Sequence, residues 1–242
     1  MTRDSAVRIA VLLPELLGTY GDGGNATILT KRLEWRGFRV ERIDCSAAAS
    51  IPVEVDLYLL GGGEDRPQTL AARELRAVGT VARGVAAGAA VFAVCAGFQL
   101  LGEQFPGADG PEPGLDVLDV TTLVGTGSRA VGELLVEPAP ELALPPITGF
   151  ENHQGVTRIG ADAMPLGEVV VGRGNGVDHD GRAVEGARTQ RIVATYAHGP
   201  VLARNPALAD HVLSLIVGPL PALDLEVVNE LRRQRLAAVR GR

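Results

Sequence analysis

A cysteine stands at the junction of an apolar run and a helix-compatible one. Ala90-Val91-Phe92-Ala93-Val94 has no helical spacing and reads as a buried strand, Cys95-Ala96-Gly97 as a sharp turn, and Phe98 to Gln104 as a helix. A thiol at such a turn sits above the sheet edge near a helix N-terminus, where backbone N–H groups and the helix dipole favour the nucleophilic thiolate. Ala93, Ala96 and Gly97 are small enough for a strained strand-to-helix elbow, although Ala93 stands where a nucleophile elbow commonly has its first glycine. The competing reading is an inert buried thiol, since free cysteine is among the most buried residue types.

A cysteine nucleophile needs a base, and four histidines are available. His198 follows the apolar run Arg191 to Ala197 and precedes Gly199-Pro200, so it sits at a strand end, as Cys95 does, and two strand ends on one sheet edge can meet. His153, in Phe150-Glu151-Asn152-His153-Gln154-Gly155, is second; His179 falls in the polar run Asp178 to Gly181, and His211 on a helix face. Gly61-Gly62-Gly63 leaves the C-terminal end of a strand predicted beside the cysteine strand. Its backbone N–H groups, with that of Ala96, suit an oxyanion hole, in which one donor is worth about 2.7–4 kcal/mol.

The elements that must position these groups are legible in outline. Residues 7–13, 38–43 and 55–60 read as strands, and helices are predicted over 26–36 and, as one long crossover, over 67–85. Alternation of this kind over residues 7–105 implies an α/β fold with a mostly parallel central sheet and helices on both faces. Beyond Pro106, short apolar runs at 115–124, 131–137, 147–150, 168–172 and 191–197 read as extra strands beside the same sheet, followed by helices over 206–217 and 224–239. Arginines 232, 233, 235, 240 and 242 fall at the end of the last helix, where the macrodipole favours cations, and read as a solvated helix end.

Composition removes several classes of function. A balance of 23 basic against 29 acidic residues leaves no nucleic-acid footprint. With 46% hydrophobic but only 4% aromatic residues, the core must be built from Val, Leu, Ala and Ile. No apolar run approaches the ~20 residues needed to span a bilayer, and MTRDSAVR lacks a signal-peptide core, so the chain is expected in the cytoplasm. Two cysteines, Cys45 and Cys95, make no disulfide framework and no metal-ligand spacing. Gly21-x-Gly23-x-x-Ala26 fits a relaxed dinucleotide fingerprint, but its first glycine comes well after Pro14 has closed the strand, which argues against nucleotide binding.

Cys95-Ala96-Gly97-Phe98-Gln99 resembles the C-x-G-x-Q nucleophile turn of class I glutamine amidotransferases. Gly149 to Gly155 and Tyr196-Ala197-His198-Gly199-Pro200 resemble segments of their cobyric acid synthase-like branch. Tyr20 to Asn25 and Gly61 to Arg66 narrow the likeness to the glutaminase subunits of lipid II isoglutaminyl synthase. The resemblance runs from residue 7 to about 217 and implies one glutamine amidotransferase domain over 1–242, with C-terminal helices over 206–242. It further implies Cys95 and His198 as catalytic residues, Arg129 on the glutamine α-carboxylate with Gln99 lining the pocket, and an oxyanion held by Gly62, Gly63 and Ala96. The ammonia would pass to a Mur ligase-like partner subunit, MurT, in a heterodimer. That partner would hold ATP and magnesium and amidate the D-glutamate of lipid II, at the inner face of the membrane if the complex is peripheral. Many class I domains carry a glutamate two residues after the histidine, to orient it. Here that position is Pro200, and the expectation is that an acid reaches His198 from the partner. Without the resemblance, the residues leave open a cysteine-elbow hydrolase or chaperone-like protein of the same fold, or a scaffold with a buried thiol.

Overall fold

The computed structural model describes residues 5–223 and 225–241. Residues 1–4, the helix start predicted at Asp224, and Arg242 lie outside the described residues. Strands β1 (Val7–Leu12), β2 (Val40–Cys45), β3 (Leu57–Leu60) and β4 (Ala90–Val94) form where the apolar runs fall, and β3 and β4 are buried at every position. Burial on both faces is what a parallel sheet between helix layers demands. With Ile192–Thr195 and the short Ala187–Arg188 they make a six-stranded sheet in the order Ala187–Arg188, Ile192–Thr195, β4, β3, β1, β2. Every pair in it is parallel except the edge pair of Ala187–Arg188 with Ile192–Thr195.

Helices connect and cover these strands. α1 (Gly23–Glu34) follows β1 and starts three residues before its predicted first residue. The predicted crossover over 67–85 is two helices, α2 (Asp65–Val78) and α3 (Thr80–Ala86), because Gly79 adopts the left-handed conformation (φ 61°) and ends the first. α4 (Ala96–Leu101) begins immediately after Cys95. α5 (Val201–Arg204) and α6 (Pro206–Val217) pack on α1, whereas α2 packs on α3 and α4.

Residues 104–185 depart from expectation. They build two further sheets instead of widening the first: a four-stranded one in the order Gly155–Ile159, Val120–Val124, Gln104–Gly107, Gly110–Pro113, and a five-stranded one in the order Asp178–His179, Arg182–Glu185, Gly167–Val171, Ala130–Pro138, Ile147–His153. The physical reason lies in their burial, which alternates along Val120–Val124 and Gly167–Val171, the signature of mainly antiparallel strands with one wetted face. The last helix, α7 (Glu226–Arg240), is solvated over most of its length, as its arginines imply, with Val239 buried and Arg233, Arg235 and Arg240 exposed. Arg232 donates to Asn205 Oδ1 at 2.8 Å and to the Pro146 carbonyl, which ties α7 to the body of the fold, while Arg233 pairs with Glu230 on the helix surface. Among the described residues no helix is long and apolar enough to cross a membrane.

Candidate active site

Four consecutive strands of the central sheet deliver their C-terminal ends to one edge. Ile192–Thr195 leads to His198, β4 to Cys95, β3 to Gly61-Gly62-Gly63, and β1 to the loop carrying Tyr20 and Asp22. Edges of this kind are where open α/β sheets bind ligands.

Cys95 caps β4 in a strained conformation, φ 51° and ψ −106°, that non-glycine residues rarely adopt. Two sets of backbone bonds hold it there. The Cys95 N–H donates to the Thr195 carbonyl at 2.8 Å, extending the ladder with the neighbouring strand, and the Gly97 N–H donates to the Gly61 carbonyl at 3.1 Å. The elbow therefore forms as predicted, and the thiol is 6% exposed. Cys45, also buried, ends β2 at the far side of the sheet from β4.

His198 is 1% exposed and fixed at both ends. Its N–H donates to the Phe150 carbonyl at 2.8 Å, which pins its backbone to the strand Ile147–His153. Its Nδ1 lies 3.1 Å from Asp22 Oδ2 and 3.3 Å from Oδ1. Tyr20 lays its ring over the imidazole at a centroid distance of 4.8 Å. Burial alone would push the His198 pKa down, but the Asp22 and Cys95 side chains more than offset it and hold the imidazole up to about 10. Nε2 is buried and has no hydrogen-bond partner among the described residues.

Two observations bear on the expected site. The first is that Asp22 of this same chain lies against His198, where the sequence reading finds no acid. Sequence reading missed it because Gly21-Asp22-Gly23 looks like an ordinary loop before a helix. The second concerns Gly62, whose N–H donates to Asp22 Oδ2 at 2.8 Å and is thereby committed. Of the three predicted oxyanion donors, Gly63 and Ala96 line the cavity beside Cys95 and Gly62 does not.

That cavity measures about 150 Å³, small enough for an amino acid-sized ligand, and its wall includes Cys95, Gln99, Arg129 and His153. Arg129 is exposed, with Nε 2.6 Å from Asn152 Oδ1, and Asn152 in turn donates to the Tyr20 hydroxyl at 2.9 Å. Gln99 is spoken for on both sides of its amide: Oε1 accepts from Gln68 at 2.8 Å and Nε2 donates to the Tyr196 hydroxyl at 3.1 Å. His153 stacks on the Tyr196 ring at 3.7 Å with Nδ1 3.1 Å from the Gly155 carbonyl, and forms part of the cavity wall. His179 belongs to a surface strand beside Asp180, and His211 sits on α6. Among the described residues no group of three or more His, Cys, Asp or Glu side chains is placed to hold a metal ion.

The comparisons agree with this geometry. Residues 8–206 match the CobB/CobQ-like glutamine amidotransferase domain family. The chain is 34% identical over 204 residues to the GatD subunit of the glutamine-hydrolysing lipid II isoglutaminyl synthase of Staphylococcus aureus, covering 83% of this chain and 80% of that one. It is 36% identical over 208 residues to the corresponding subunit of Streptococcus pneumoniae, covering 84% and 77%. A cobyric acid synthase of Xanthobacter autotrophicus matches at 33% over 78% of this chain but only 38% of its own length. Solved glutamine amidotransferases share the fold, one with a TM-score of 0.58 at 21% identity over 86% of this chain and 98% of its own, and one from Thermotoga maritima with 0.52 at 15% over 97% and 98%. A nucleophile elbow, a histidine on the neighbouring strand end and a sequence match across most of the chain place it in one lineage: it belongs to the CobB/CobQ-like glutamine amidotransferases, alongside the GatD subunits of lipid II isoglutaminyl synthase.

Proposed function

We propose that this chain hydrolyses L-glutamine to glutamate and ammonia and hands the ammonia to a synthase partner. The Cys95 sulfur attacks the side-chain amide carbon, and the resulting oxyanion takes hydrogen bonds from the N–H groups of Gly63 and Ala96. Ala96 opens α4, so its N–H has no acceptor within that helix. His198 gives a proton to the departing nitrogen; the C–N bond breaks, and ammonia leaves a thioester on Cys95. The histidine then takes a proton from water, which attacks the thioester, and glutamate departs as the thiol is restored. Arg129 takes the glutamine α-carboxylate, exchanging its present bond to Asn152 for a two-pronged ion pair.

The observation that carries this reading is the strained thiol and the buried, proton-holding imidazole meeting beside an amino acid-sized cavity with a guanidinium at its wall. The GatD relatives are named as subunits of a glutamine-hydrolysing lipid II isoglutaminyl synthase, which supports a synthase partner for this chain. In this reading, which follows the family resemblance of the sequence, that partner is a Mur ligase-like subunit, MurT, that forms a heterodimer with the chain, holds ATP and magnesium, and uses the ammonia to amidate the D-glutamate of lipid II. The test is glutamine hydrolysis by the purified chain, with and without that subunit, for wild type, Cys95→Ala, His198→Ala and Arg129→Ala. The first two variants lose turnover, and the third keeps a folded chain with a strongly raised KM. Undiminished hydrolysis by Cys95→Ala overturns the proposal.

A further inference from the structure

We infer that Tyr20 is a positioning residue that serves this reaction with both of its ends: its ring covers the base, and its hydroxyl, acting through Asn152, holds Arg129 ready for the substrate carboxylate. The inference rests on the hydrolytic role proposed above. Tyr20 lies in the loop after β1 with φ 66°, a left-handed conformation that strains a bulky residue and that a glycine would take freely. Strain kept on a large side chain points to a use for that side chain. The loop is anchored one residue earlier, where the Thr19 N–H donates to the Gly62 carbonyl at 3.1 Å.

The hydroxyl joins three segments of the chain beside the cavity. It donates to Glu64 Oε1 at 3.0 Å, just ahead of α2, and accepts from Asn152 Nδ2 at 2.9 Å, on the strand Ile147–His153. The directions are fixed, because the carboxylate can only accept and the amide nitrogen can only donate. Asn152 is thereby turned with Oδ1 toward Arg129 Nε at 2.6 Å, and its carbonyl takes Arg129 Nη2 at 3.2 Å. An exposed arginine is otherwise free to sample many rotamers; this one is parked on a neutral partner at the cavity wall, with its charge left for a carboxylate. When Nε turns to the glutamine α-carboxylate, Nη2 offers it a second hydrogen while keeping the Asn152 carbonyl with its other one. The tyrosine ring meanwhile lies 4.8 Å from the His198 imidazole, centroid to centroid. Tyr20 is 37% exposed and His198 1%, so the ring forms an outer layer that keeps bulk water off the base.

The experiment measures hydrolysis of glutamine and of 4-aminobutanamide, which is glutamine without its α-carboxylate, by the purified chain and by its complex with the synthase subunit. The proteins are wild type, Tyr20→Phe, Tyr20→Gly, Asn152→Ala, the double variant of Tyr20→Phe with Asn152→Ala, and Cys95→Ala. Tyr20→Phe keeps the ring and loses the hydroxyl: its KM for glutamine rises about 3–10-fold with kcat within about twofold of wild type, and its kcat/KM for 4-aminobutanamide is unchanged. Asn152→Ala raises the glutamine KM likewise, and the double variant is no worse than the worse single one, since both changes break one chain of bonds. Tyr20→Gly suits the left-handed backbone and loses the ring as well, so its kcat falls at least about tenfold on both substrates. Thermal unfolding separates loss of fold from loss of turnover, and Tyr20→Asn, which also tolerates this backbone, replaces Tyr20→Gly if the latter does not fold. Where turnover of 4-aminobutanamide lies below detection, the split between KM and kcat on glutamine decides. A wild-type KM in Tyr20→Phe, an equal loss on both substrates, or additive effects in the double variant overturns the link to Arg129. A wild-type kcat in Tyr20→Gly overturns the cover over His198. Retained glutamine hydrolysis by Cys95→Ala overturns the hydrolytic role itself, whatever the Tyr20 variants do.

Discussion

Replacing Glu185 with glutamine should change how the stability of this protein depends on pH. Glu185 ends the strand Arg182–Glu185 and is wholly buried. Its Oε1 accepts from Thr195 Oγ1 at 2.8 Å and from the Tyr196 N–H at 2.6 Å, while Oε2 has no partner among the described residues. Burial, opposed by the two hydrogen bonds and aided by the charge of Glu151, raises the carboxyl from 4.5 to about 7. Between those two pH values the unfolded chain has released a proton that the folded chain still holds, so stability falls as pH rises through the window and levels off above it. The difference amounts to about 3 kcal/mol. A neutral glutamine retains the Oε1 bonds and removes this dependence. Urea unfolding followed by circular dichroism at pH 5 and pH 8 measures it: from the lower pH to the higher, Glu185→Gln gains about 3 kcal/mol relative to wild type. His198, whose raised pKa favours the folded state below 6.5 and ceases to do so as pH climbs toward 10, contributes equally to both proteins and cancels. Parallel pH profiles for the two proteins would refute the reasoning.

Two further outcomes follow from contacts near the site and at the chain's last helix. Gly97→Ala places a Cβ 2.6 Å from that of Leu60 and 2.8 Å from the Leu60 carbonyl oxygen, so the elbow must shift; the variant should lose about 1–3 kcal/mol in urea unfolding and most of its glutamine turnover. Arg232→Ala removes the bonds to Asn205 and Pro146 and should free α7 for proteolytic clipping at a loss of about 1–2 kcal/mol, with KM for glutamine unchanged. Wild-type resistance to clipping would show that α7 is held by other contacts.

What the sequence by itself determined is what its local chemistry could encode. An apolar run, a cysteine and two small residues in succession specify an elbow, because each step of strand, strained turn and helix start depends on immediate neighbours. The same holds for β1, β3 and α6, whose periodicity and punctuation place them within a few residues of the observed bounds. His198 could be picked from four histidines because it ends an apolar strand. The tertiary structure alone decided three things. It folded residues 104–185 into two sheets of their own, since short strands rich in Gly and Pro declare neither their partners nor their register. It bound the Gly62 N–H to Asp22. And it brought Asp22 across 176 residues to His198, because strand order in a parallel sheet is set by long-range packing and leaves no local trace in a loop that looks like any other helix start.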